Sequence, residues 1–169
     1  MTTITEGRLT FQFPAAWQVA KYDAWTFYVK QFQNVCGGAK SIDFLAMQGQ
    51  ECLWLIEVKD YGASEREKTI GLAEEFALKV RDTLAGLVAA QIQNSSQIEQ
   101  AFARRALRCT TIKVVLHLEQ PHKPSRLRPR IDTMILIRKL KQLLRPIDAH
   151  PRVVSLADGN KFGWDTTRV

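Results

Sequence analysis

The chain has only three cysteines, Cys36, Cys52 and Cys109, far apart and with no Cys-x-x-Cys pairing. That scarcity excludes a disulfide framework and zinc knuckles, and it implies reduced, mostly buried thiols in a cytosolic protein. No early stretch joins a basic start to an apolar run and a small-residue cleavage site, and no apolar run is long enough to cross a bilayer. The expected location is therefore cytoplasmic, with no membrane partner. Internal repeats, low-complexity segments and a G-x-x-x-x-G-K phosphate loop are all missing. Carboxylates are the scarcer charge, 17 Asp plus Glu against 24 Lys plus Arg, for a net charge of +7. Such an imbalance suits a polyanion such as nucleic acid. An apolar fraction of 46% over 169 residues is enough for one domain with a substantial core.

The most informative stretch runs from Ser41 to Tyr61. Ser41 to Met47 and Cys52 to Tyr61 are apolar and aromatic, and a polar Gln48 to Glu51 connection containing Gly49 separates them, which predicts a β-hairpin. Alternation places Leu53, Leu55, Glu57 and Lys59 on one face, and Trp54, Ile56, Val58 and Asp60 on the other. A turn centred on Gln50 sets Met47 against Leu53, Leu45 against Leu55 and Asp43 against Glu57. Cross-strand partners lie roughly 5 Å apart, so the two carboxylates would repel by about 3 kcal/mol at an effective dielectric near 20. A cation between them removes that cost. An all-oxygen site suits Mg2+ or Mn2+ better than zinc, and Lys59 on the same face would point at whatever the metal holds.

Asp43, then Glu57-Val58-Lys59 on a strand, followed by a long helix and another strand, resembles the PD-(D/E)xK nuclease superfamily over roughly residues 23–118. Ile42 stands where the family name has proline. The resemblance implies a restriction-endonuclease-like core with a divalent metal held by Asp43, Glu57 and the Val58 carbonyl, and Lys59 assisting the attacking water. Asp43, Glu57 and Lys59 would then be catalytic. Asp23 is the candidate for a further acidic residue that many members add, although it is also well placed as a helix N-cap. The expectation is thus a Mg2+-dependent nuclease acting on DNA. The alternative is a silent nucleic-acid-binding or protein-interaction module on the same fold, with Glu57 and Lys59 simply paired.

Elsewhere, Leu9, Phe11 and Phe13 alternate as a strand ended by Pro14, while the conformation around Trp17 and Val19 is left open. Trp25, Tyr28, Val29 and Phe32 have helical spacing, and the helix they predict ends at Cys36-Gly37-Gly38. Ser64 and Glu67 have capping-box spacing before a helix whose stripe is Ala73, Phe76, Ala77, Val80, Leu84, Leu87 and Val88, with Gly71 and Gly86 as weak points. Lys68, Lys79 and Arg81 lie near its polar side. Ser96 and Glu99 repeat the capping spacing, and residues 110–118 read as a central strand containing His117, a structural rather than ligating histidine. Residues 121–129 form a loop, and Lys123, Arg126, Arg128 and Arg130 are the candidate phosphate contacts. Ile131 to Leu144 is a helix closed by Pro146, Arg152 to Leu156 is the last strand, and Trp164 anchors a tail. The fold expected is α/β (α+β), a single domain over residues 1–169 with a mixed central sheet flanked by helices. Expected partners are nucleic acid, a second copy in a homodimer, or an unidentified protein.

Overall fold

In this computed structural model, which describes residues 1–62, 70–126 and 129–169, strands β1 (Thr2–Glu6), β2 (Leu9–Phe13) and β3 (Trp17–Lys21) lead into short helical turns. Strands β4 (Phe44–Gln48) and β5 (Cys52–Asp60) follow, then helices α1 (Leu72–Gln93) and α2 (Gln97–Ala106) and strand β6 (Thr111–Glu119). Helix α3 (Thr133–Leu144) and strands β7 (Arg152–Val154) and β8 (Asp165–Arg168) complete the order. The fold is a mixed α/β (α+β) one, in three layers. A five-stranded sheet, β3-β4-β5-β6-β7, lies between the three helices and a small sheet, β1-β2-β8.

The hairpin pairs as its alternation predicts, Leu45 with Leu55 and Met47 with Leu53, and Gly49 at φ 62° makes the turn. Odd-numbered Leu45, Met47, Leu53 and Leu55 enter the core under the helices. Even-numbered Phe44, Ala46, Trp54 and Ile56 meet Leu9, Phe11 and Phe13 of β2. Full burial of each such side chain stabilises by roughly 1.5–3 kcal/mol, so a one-residue slip would move both cores at once. β2 therefore lies across the hairpin in a separate sheet, and the open stretch at Trp17 is the edge strand β3. β6 is central and parallel to both neighbours, and the βαβ crossover through α1 and α2 accounts for that direction.

Four expectations need correction. The helix from Asp23 is broken into a 3-10 turn at Tyr22–Ala24 and a π-type turn at Tyr28–Phe32, and Asp23 caps neither. The Thr26 and Phe27 amides are held instead by the Glu99 carboxylate at 2.8 and 3.1 Å, reaching across from α2. Gly86 is no weak point: a Cβ there would lie 2.0 Å from the Tyr22 hydroxyl, so the glycine admits that ring against α1. The tail after Gly159 contains β8, which pairs antiparallel with β2, so β7 is not the last strand. Cys36 is exposed and Cys52 and Cys109 are half-buried, although all three are free thiols.

Other expectations match. Ser96 caps α2 by accepting from the Glu99 amide, and Trp164 is buried edge-on to Trp54 at 5.3 Å. His117 is buried, with Nε2 3.0 Å from a Glu119 oxygen that also accepts the Leu156 amide. Burial would raise the Glu119 carboxyl, but His117, the Leu156 amide and Arg168 outweigh it and hold that group below its ordinary value. The Ser64–Glu67 capping pair, Lys68 and Arg128 lie outside the described residues.

Candidate functional site

At the open end of the hairpin ladder, one residue beyond the Phe44–Ile56 pair, the chain brings Asp43 within electrostatic reach of Glu57. Both are buried. Glu57 is the more enclosed, and its Oε1 receives two ammonium groups, Lys59 and Lys79, each at 2.6 Å. Its other oxygen, Oε2, has no hydrogen-bond partner among the described residues. Asp43 Oδ2 accepts the Val58 amide at 2.7 Å. Burial, and then the Glu57 charge, raise the Asp43 carboxyl to about 7 against the lowering pull of Lys79 and the Val58 amide.

Three further participants, Glu6, Lys21 and Asp23, come from elsewhere in the chain. Glu6, at the end of β1, offers an oxygen that lies within 4.8 Å of one on Asp23 and one on Asp43. Lys21 closes on Glu6 at 2.5 Å, and that hydrogen bond raises its ammonium above the ordinary value. Burial raises Asp23, whose Oδ1 is also without a partner. Three carboxylates, Glu6, Asp23 and Asp43, are thus clustered, with Lys21 on Glu6 and with Lys59 and Lys79 on the neighbouring Glu57. Burial opposes the Lys59 charge, but Glu57 outweighs it and holds that ammonium above its usual range.

The sequence reading placed Asp43, Glu57 and Lys59 together, and the structure does the same. It differs in their roles. Lys59, expected to address a water, is committed to Glu57, because a fully buried carboxylate needs a counter-charge. Lys79, assigned to the polar side of α1, turns inward to the same carboxylate. Val58 meets Asp43 through its N–H, which donates to Asp43 Oδ2. Glu6 and Lys79 were missed; the signal for Lys79 was its place one position before buried Val80, at the edge of the apolar stripe. The donor set remains chemically suited to a hard divalent cation: it is all oxygen, with one oxygen orphaned in a fully buried side chain.

The surface has a different balance. Among the described residues only Glu51, Asp132 and Asp165 are exposed carboxylates, whereas fifteen lysines and arginines are exposed. Lys123, Arg126 and Arg130 of the expected phosphate-binding loop are among them. Carboxylates have withdrawn into the pocket, into helix contacts and, as with Asp148, into strand support at the Val114 amide. The solvent-facing molecule is accordingly more basic than its net charge of +7 indicates.

No family model matches the chain, and no solved structure does. The PD-(D/E)xK resemblance therefore rests on the residues that suggested it. The chain is 41% identical, over 76% of its length, to a cysteine–tRNA ligase of Neisseria meningitidis serogroup A / serotype 4A. It spans only 23% of that relative, so the likeness is to a domain-sized portion. This finding overturns the expectation of a nuclease and of a hydrolase: the relative carries a ligase's name. Among the described residues no helix is long and apolar enough to cross a membrane.

Proposed function

We propose that this chain is an RNA-binding domain that serves tRNA, of the kind carried as a portion of a tRNA-charging enzyme. The observation that carries the reading is the 41% identity to a cysteine–tRNA ligase. Because the shared portion is 23% of that protein, the charging reaction itself is not assigned to these residues. Their part is to hold the nucleic acid. The exposed cations are the physical support, since phosphate neutralisation supplies most non-specific affinity for RNA and releases counterions as it does so. With no residue pattern of a sequence-reading module, recognition would be of RNA shape and backbone.

Filter binding of the full chain to a tRNA transcript, with duplex DNA of equal length as competitor, tests this. Saturable tRNA binding that weakens steeply with salt, and that DNA displaces poorly, is the expected result. Equal preference for DNA, or no retention at about 50 mM salt, where phosphate contacts are strong, would refute it.

The acidic pocket supports a second, separate reading: a Mg2+ or Mn2+ site held by Asp43, Asp23 and Glu6, with Glu57 beside them. The orphaned Glu57 Oε2 favours it, because a buried carboxylate oxygen without a partner is costly. When bound, the cation would supply charge neutralisation for the crowded acids. Calorimetric titration with manganese should show saturable uptake that Asp43→Asn abolishes. Uptake unchanged in that variant would place any metal elsewhere.

A further inference from the structure

We infer that the outward face of α3 is the ridge on which the RNA backbone docks. This deepens the RNA-binding reading above and rests on it. Arg138, Lys141 and Arg145 follow one another at i, i+3 and i+7, which aligns them along one side of the helix and its cap. Leu136 and Leu140 are buried on the opposite side and fix that orientation. With a rise of about 1.5 Å per residue, the three cations span roughly 10 Å. Over that length a duplex presents about six phosphate charges.

All three cations are exposed, and none has a carboxylate partner among the described residues. Their neighbour Lys139 does, sharing Glu74 at 3.7 Å. Met134, 74% exposed, stands one turn before Arg138 on the same line and adds a pliable apolar contact. Charge complementarity thus selects a polyanion as the occupant, and the likeness to a tRNA-charging protein makes it RNA.

The other basic helix makes the contrast. Arg104, in the last turn of α2, is tied to the Gln91 carbonyl at 3.3 Å. That arginine has a local partner, whereas Arg138, Lys141 and Arg145 have no carboxylate partner among the described residues.

Two triple variants of the full chain give equal charge loss: Arg138→Ala with Lys141→Ala and Arg145→Ala, and Arg104→Ala with Arg105→Ala and Arg108→Ala. Binding of a tRNA transcript is measured against salt for each, and circular dichroism checks that both fold. The α3 triple should lower the slope of log K against log salt by about 2–3 and weaken affinity at least tenfold at low salt. The α2 triple should lower the slope by less than about 1. Equal losses in both, or none in the α3 triple while the wild type binds, overturn the ridge and leave the RNA-binding reading intact. A wild type that does not bind tRNA removes the reading and the ridge together.

Discussion

Asp43→Asn should make this protein more stable at neutral and alkaline pH, although it removes a charged residue from a pocket that contains three lysines. The Asp43 carboxyl is raised from 3.8 to about 7, mainly by burial and then by the facing Glu57. The folded state therefore keeps the Asp43 proton up to about pH 7, whereas the unfolded chain releases it near pH 3.8. Between those values the folded state binds more protons, so stability falls as pH rises. The contribution is fully present below the unfolded value and is lost through the folded one. A gap of roughly three pH units at about 1.4 kcal/mol each gives a loss of about 4 kcal/mol by pH 8.

Asparagine is neutral throughout and can still accept the Val58 amide that Asp43 Oδ2 accepts at 2.7 Å. The decisive quantity is the difference between wild type and variant, since the other carboxylates titrate in both. Urea unfolding in chelator-treated buffer, from pH 4 to pH 9, would measure it. The difference should grow in the variant's favour up to about pH 8, by up to about 4 kcal/mol, and then level off. A difference that stays constant across the range would refute the reasoning, because it would mean that the folded and unfolded chains release this proton at the same pH.

Lys79→Met should cost up to about 3 kcal/mol, because it strips one of two ammoniums from fully buried Glu57. It should also push the Asp43 transition in the same unfolding series to higher pH, since Lys79 is a cation that lowers that carboxyl. Gly86→Ala should destabilise by about 1–3 kcal/mol despite alanine's better helix propensity, because the added methyl lies 2.0 Å from the Tyr22 hydroxyl. A thermal melt that rises in Gly86→Ala would contradict the packing of Tyr22 against α1.

How much of this was legible in the residues depended on how local the physics was. The two apolar arms and the glycine-bearing connection between them made the hairpin legible, with Leu45 against Leu55 and Met47 against Leu53. The spacing of Ser96 and Glu99 determined the start of α2, and the β-branched run at residues 111–118 determined a central strand. The broken helix after Lys21 could not be read there. Residues 26–32 are helical as the spacing of Trp25, Tyr28 and Phe32 indicates, but their first amides are satisfied by Glu99, 72 residues from Phe27, in place of the Asp23 cap. The nuclease reading failed at a different level: a constellation of acids and a lysine does not fix a reaction.

The sequence by itself determined the strand pattern, the two apolar faces and the excess of cations, since each follows from neighbouring residues and from counting. Only the tertiary structure decided that Lys79 turns inward, that Glu6 joins Asp23 and Asp43, and that all but three carboxylates among the described residues are at least partly buried while the α3 cations remain exposed. Those outcomes depend on which segments meet across the layers, and a buried charge takes as partner whatever group the packing brings within reach.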